Sequence, residues 1–207
     1  NVYINILEQE CFELNIGFYH WINNSKPWVI AKVAQSKDGY IGKVSTKRTM
    51  ITGQDSRKEV HKLRARTDAI LIGRKTAKTD NPQLTVRDVI GSNPIRVILD
   101  SYRQLPLDLN VFKDNKSKTI VLCSEENFIK SKTTFCDYLP VKNSQNESYS
   151  IPSTYLCPLN ILEVLGENGI TSLIIEGGRK VLESFMKMKL FFENETFFEN
   201  ETFFKMK

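Results

Sequence analysis

Residues 76–87, TAKTDNPQLTVR, stand between two compact apolar runs, DAILIG (68–73) and PIRVILD (94–100). The flanking runs have the length and the aliphatic content of buried strands. Asn81-Pro82 alone would supply the turn that a connector needs. The segment also carries an aspartate, three threonines and an arginine, polar groups suited to holding a ligand rather than to joining two strands. A solvated connector is the plain alternative.

The rest of the chain supports a layered reading of these runs. PWVIAKVAQS (27–36) is a third strand that closes on Asp38-Gly39, and TIVLCS (119–124) and ITSLIIEGG (170–178) are two more. Between them lie helical stretches. Thr52 occupies an N-cap position ahead of SRKEVHKLRAR, with Val60 and Leu63 on one face; PLNILEVLGENG has Gly166 or Gly169 to end it, and RKVLESFMKMK follows the last strand. Strands alternating with helices predict a mostly parallel α/β sheet covered on both faces, with ligands beyond the carboxyl ends of the strands. Residues 125–157 read as polar surface connections without regular elements.

The ends differ from this body. Leu7, Cys11, Leu14, Phe18 and Ile22 recur at helical spacing before the stop at Asn23-Asn24-Ser25-Lys26-Pro27, which predicts one amphipathic linker helix over 1–26 docked on the domain by that face. The domain itself is expected over 27–190. Residues 191–207 form an atypical tail in which FFENET occurs twice. Phe on both faces suits neither a half-solvated strand nor a helix, so at most one edge strand is expected there.

Composition narrows the function classes. At 207 residues and 41% hydrophobic the chain can bury a full core, and no long apolar run predicts a membrane span, so a soluble cytoplasmic protein is expected. The cysteines at 11, 123, 136 and 157 include no C-x-x-C pair and lie far in sequence from His20 and His61, which predicts no metal site. Lys43 to Arg87 holds twelve Lys/Arg against four Asp/Glu. Solvated helix faces account for such a run as readily as an anionic ligand does. It contains no Phe, Tyr or Trp to stack a base, which argues against nucleic acid.

Two further features point to an anionic ligand. Glu176-Gly177-Gly178 ends a strand and opens a helix, an arrangement that aims backbone N–H groups at a phosphate. A lone Gly-Gly is weak by itself, and neither G-x-G-x-x-G nor a P-loop accompanies it. Arg64 lies at the border of its helix's apolar face, from which it can reach along the sheet; a single such arginine more commonly meets solvent or an acid. Arg64, Arg87 and the Gly-Gly turn together are more specific than any one of them.

The blocks AKVAQSKDG (31–39), MITG (50–53), HKLRARTDAILIG (61–73), TAKTDNPQLTVR (76–87), RVILDS (96–101) and IIEGG (174–178) resemble, in order, the reductase domain of the bifunctional riboflavin biosynthesis deaminase/reductase. T-x-x-x-D-[DN]-P-x-L-T-x-R is the most specific of them. The helix EQECFELNIGF (8–18) is similar to the segment joining the two domains in that family. The resemblance implies a dihydrofolate-reductase-like fold, NADPH as cofactor, and reduction of 5-amino-6-(5-phosphoribosylamino)uracil to its ribitylamino product.

By matching position, the resemblance assigns substrate contacts to Arg48, Arg64, Leu84, Arg87 and Glu176, with Glu176 also the catalytic candidate. It assigns cofactor contacts to Ala34, Met50, Thr76, Asp80, Ser101 and the helix start Gly178, Arg179, Lys180, Val181, Leu182, Glu183 and Ser184. Arg48-Thr49-Met50 replaces the family's usual Ser-x-Trp. The surplus charge of 43–87 suits a 2′-phosphate and predicts NADPH over NADH. The zinc-deaminase signature H-x-E with P-C-x-x-C is absent from these residues. The implied partners are the phosphorylated pyrimidine substrate, a fused or separate zinc deaminase domain, and a second copy in a homodimer; nucleic acid and membrane are not among them. The competing classes are a dihydrofolate-reductase-like enzyme with another substrate and a non-catalytic, degenerate binding paralogue.

Overall fold

The structure, a computed structural model, describes residues 3–4, 6–34, 53–130, 135–143, 156–191, 196–198 and 201–205. Arg48, Met50, Thr52 and the Asp38-Gly39 turn lie outside the described residues.

Two helices, α1 (Glu8–Leu14) and α2 (Ile16–Asn24), precede strand β1 (Trp28–Ala34). Then come α3 (Gln54–Ala65), β2 (Ala69–Gly73), α4 (Arg74–Asp80), β3 (Ile95–Leu99), α5 (Asn110–Lys113), β4 (Thr119–Ser124) and β5 (Asp137–Val141). The chain continues through α6 (Pro158–Glu167), β6 (Ser172–Gly177) and α7 (Arg179–Lys187) to β7 (Thr196–Phe198) and β8 (Glu201–Lys205). The strands form one sheet in the order β5-β4-β3-β2-β6-β1-β8-β7. All pairings from β5 to β1 are parallel, and those of β8 with β1 and with β7 are antiparallel. The mostly parallel α/β expectation is met.

Each central strand is apolar on both sides because each side is covered. Ala31, Leu71, Val97, Leu122 and Ile175 pack in one core with Ile161 and Leu165 of α6 and Leu182 and Phe185 of α7. Ile70, Ile72, Ile98 and Val121 pack in the other with Ala77 of α4, Leu84, and Val111 and Phe112 of α5. The chain runs from β2 to β5 toward one edge and then returns, inserting β6 between β2 and β1. That reversal lies at β6, and the carboxyl ends of the strands beside such a reversal are the usual ligand position in these sheets. Asp68, at the foot of β2, fixes the return: its Oδ2 accepts Thr171 N at 2.8 Å, Thr171 Oγ1 at 2.7 Å and Ser172 N at 3.1 Å.

Four expectations are corrected. The first part of the polar segment 76–87 lies in helix α4, Arg74–Asp80, rather than in a turn, although only Ala77 of that helix is buried and no apolar stripe announces it. Residues 137–141, read as irregular, form β5 parallel to β4. The single linker helix is two, broken at Asn15, whose Nδ2 donates to Cys11 O at 2.8 Å. Its expected docking face is solvent-facing, with Leu14 85%, Phe18 51% and Ile22 59% exposed. Contact is made by Gly17 and Trp21 instead. A Cβ on Gly17 would stand 3.3 Å from that of Ser172, and Trp21 Nε1 donates to Gly166 O at 2.9 Å.

The fourth correction concerns the tail, which forms a two-stranded hairpin rather than at most one strand. β8 pairs with β1 from Ile30 to Ala34, using the row of backbone groups that an edge strand leaves open. Apolar packing also continues past 190: Phe191 is fully buried, its ring 6.0 Å from that of Phe185.

Candidate functional site

The carboxyl ends of four strands lie side by side around β6. Gly73 of β2 is level with Leu99 of β3, and Ile72 is level with Gly177 of β6; β1 and β6 run in register through Ala31 and Ile175. Ala34, the α4 helix, Ser101 and the Gly177-Gly178 turn therefore share one end of the sheet.

The Gly-Gly turn is built for close approach. Gly177 has φ 129°, a conformation side chains rarely adopt, and the Gly177–Gly178 peptide is cis. A Cβ on Gly178 would stand 2.9 Å from Thr76 Oγ1, so Thr76 on α4 and the start of α7 are neighbours only because residue 178 is glycine. Val181 N and Leu182 N donate to Gly178 O at 2.9 and 3.2 Å, and the dipole at such a helix start favours a phosphate. Not all of 178–184 can share in this. Leu182 is buried in the core, Ser184 Oγ donates to Val181 O at 2.7 Å, and exposed Arg179 pairs with Glu183 at 2.6 Å. Asp80 ends α4 exposed to solvent.

The substrate candidates Arg64, Glu176 and Arg87 meet through α3, β6 and the segment 84–87. Arg64 reaches from α3 to the end of β6, where Nε donates to Glu176 Oε1 and Nη2 to Oε2, both at 2.7 Å; Nη1 donates to Thr85 O at 3.1 Å. The pair is nearly enclosed, with side chains 11% and 10% exposed. Burial alone would raise the Glu176 carboxyl, but the Arg64 charge and the two hydrogen bonds outweigh it and hold Glu176 below the ordinary carboxylate range. Glu176 is thus ionised at neutral pH, an acceptor rather than a proton donor. Three of the five N–H groups of the Arg64 guanidinium are engaged by these described partners.

Leu84 has a left-handed backbone, φ 54°, and its side chain is buried beside Ile70, Ile72 and Ala77, leaving only its backbone for a ligand. Asn81 of the same loop pins α5: Asn110 N donates to Asn81 Oδ1 and Asn110 Nδ2 to Asn81 O, each at 2.8 Å. Arg87 is exposed, and among the described residues its guanidinium meets Gln83 Oε1 at 3.3 Å and Thr85 Oγ1 at 3.5 Å, both neutral. Neither Asp88 nor Asp100, the acids that a purely structural Arg87 would seek, is its partner; Asp88 lies by His61 and Asp100 by Arg74.

His61 escaped the reading of the sequence. It is 5% exposed on α3, one turn before Arg64, and accepts the Arg87 amide. The i, i+3 spacing of His61 and Arg64 was a signal that both face the same loop.

Residues 27–196 match the RibD C-terminal domain family. The chain belongs to this family. Among curated relatives, the riboflavin biosynthesis protein RibD of Aquifex aeolicus is 34% identical over 91% of this chain, and the chain covers 50% of it. The 2,5-diamino-6-ribosylamino-4(3H)-pyrimidinone 5′-phosphate reductase of the same organism is 31% identical over 81% of this chain and 74% of its own length. The chain spans about half the length of the RibD relatives it matches. Among solved structures, the diaminohydroxyphosphoribosylaminopyrimidine deaminase/5-amino-6-(5-phosphoribosylamino)uracil reductase of Thermotoga maritima aligns over 98% of this chain and 62% of its own, with TM-score 0.73 and 26% identity. The RibD C-terminal family is thus a riboflavin-pathway reductase family of dihydrofolate-reductase-like fold, the fold seen in this chain.

Proposed function

We propose that this chain catalyses the NADPH-dependent reduction of 5-amino-6-(5-phosphoribosylamino)uracil to 5-amino-6-(5-phosphoribitylamino)uracil. The observation that carries this reading is the pairing of Arg64 with Glu176 across α3 and β6, which also holds Thr85 beside the Arg87 guanidinium, whose partners among the described residues are neutral. A phosphate is the natural complement of such an arginine, through charge-assisted bonds worth roughly 1.5–3 kcal/mol each.

When bound, NADPH would supply a hydride to the sugar C1′ of the opened imine, whose nitrogen would take its proton from solvent. The residues that would hold the cofactor are Thr76, Asp80, Ser101 and the opening turn of α7, where the helix start suits a pyrophosphate. Arg87 and Arg64 would hold the sugar phosphate, and the ionised Glu176 would accept hydrogen bonds from the uracil or ribose edge. Fixing C1′ against the nicotinamide supplies much of the rate by positioning. In this reading a deaminase domain, fused or separate, provides the substrate, as the double name of the Thermotoga protein suggests.

The test is loss of nicotinamide absorbance on mixing the chain, NADPH and 5-amino-6-(5-phosphoribosylamino)uracil. Turnover with NADPH well above that with NADH, narrowing as salt screens the 2′-phosphate, supports the reading. Binding of NADPH without turnover of this substrate would favour a reductase with another substrate.

A further inference from the structure

His61 is buried on α3, beneath the loop that carries Arg87. Its Nδ1 lies 3.2 Å from Arg87 N, and Nε2 lies 3.6 Å from Asp88 Oδ2. A backbone N–H can only donate, so Nδ1 must be the bare nitrogen and Nε2 the protonated one, turned toward the Asp88 carboxylate. One turn on, Arg64 donates to Thr85 O. α3 therefore grips both ends of Thr85-Val86-Arg87 through main-chain atoms.

We propose that His61 is the positioning residue for Arg87: its neutral imidazole fixes the backbone from which Arg87 reaches the substrate phosphate. The role rests on the proposed reading of Arg87. A proton on Nδ1 would set one N–H against another and release the Arg87 amide. The charged groups around the ring act in both directions. Arg64 on α3 and Arg87 in the loop disfavour its protonation, while Asp88 in the loop and Glu176 on β6 favour it; burial is the largest influence and, with the arginines, keeps the imidazole below its ordinary range. The neutral form therefore prevails at neutral pH, and acid is the condition that breaks the contact.

The test compares wild type, His61→Leu and His61→Asn, whose amide oxygen can take the place of Nδ1 without titrating. Thermal unfolding establishes that each variant is folded. His61→Leu should raise the substrate KM about three- to tenfold, the loss of one hydrogen bond, with kcat and NADPH affinity little changed. His61→Asn should recover most of that loss. Below about pH 6.5 the wild-type KM should rise more steeply than that of His61→Asn, the latter reporting protonation of the substrate phosphate alone. An unchanged KM in His61→Leu, a fall in kcat instead, or identical pH profiles in wild type and His61→Asn would overturn the proposal. The Arg87 amide resonance in a 15N spectrum is a readout independent of turnover. It should follow the His61 titration in wild type and lose that step in His61→Asn, and an amide that ignores the imidazole overturns the role even if the enzyme acts on another substrate.

Discussion

Arg64 and Glu176 hold each other so closely that neither can be judged alone. The pair lies 112 positions apart in the chain. The wheel position of Arg64 showed that it could reach the ligand end of the sheet, but the acid that meets it there was visible only once β6 was placed beside β2. Glu176 has a lowered carboxyl pKa in the folded protein, so its contribution is present above the unfolded value of about 4.3 and is lost as pH falls through the folded one. Arg64→Met removes the cause and leaves a carboxylate enclosed without its partner, a change on the order of 3–5 kcal/mol. Urea unfolding at neutral pH should show that loss, and the variant should tolerate acid better relative to its own neutral stability than wild type does.

Arg87 and Asp80 sit at opposite ends of the loop, and the proposed reading separates their roles. Arg87→Met should lower kcat/KM by about 30- to 150-fold, roughly 2–3 kcal/mol, through KM for the substrate with NADPH affinity little changed. Asp80→Asn should weaken NADPH instead. Steady-state kinetics with each ligand varied in turn decide the matter; an Arg87→Met enzyme with unchanged kcat/KM would take the loop out of the active site.

At the scale of elements, β1, β2, β3, β4 and β6 were legible because each is a short apolar run covered on both sides, whereas β5, DYLPV, buries only Val141 and was not; α6 and α7 were legible because they carry apolar stripes. α4 was not. RKTAKTD buries Ala77 alone, so a helix held by its position after β2 left almost no periodic signal. The docking of α2 was misread for a related reason: a search for large apolar residues passes over Gly17, while Leu14 and Ile22 attract notice and meet solvent. The closeness of α4 and α7 has a direct test. Gly178→Ala places a methyl 2.9 Å from Thr76 Oγ1, and forcing the two helices apart should cost about 1–3 kcal/mol. Fluorescence titration should show weaker NADPH binding, and adding Thr76→Ala should recover part of the stability lost in the single variant.

Over the whole molecule, the sheet was legible as a class but not in its order. Apolar runs announce strands without saying which strand lies beside which. The return of β6 to a place between β2 and β1 is set by long-range contacts such as Asp68 with Thr171 and Ser172. The FFENET repeat was misjudged from its Phe residues alone, since what joins the tail to the sheet is the backbone edge of β1.

The late arrival of β6 also governs how the protein can be made. On the ribosome β1 to β5 emerge first, yet β1 has no neighbour among β2 to β5 and must wait for residues beyond 171 before it can pair within the parallel sheet. Until then both β1 and the inner side of β2 are open template edges, prone to pairing with other chains. A fragment ending at Asn143 should accordingly aggregate or remain without protected amides in β1, as hydrogen exchange would report. Adding a separate piece from Leu156 onward should restore protection to β1 and β2 together. Protection of β1 in the shorter fragment would mean that the strand finds its place without the one that separates it from β2.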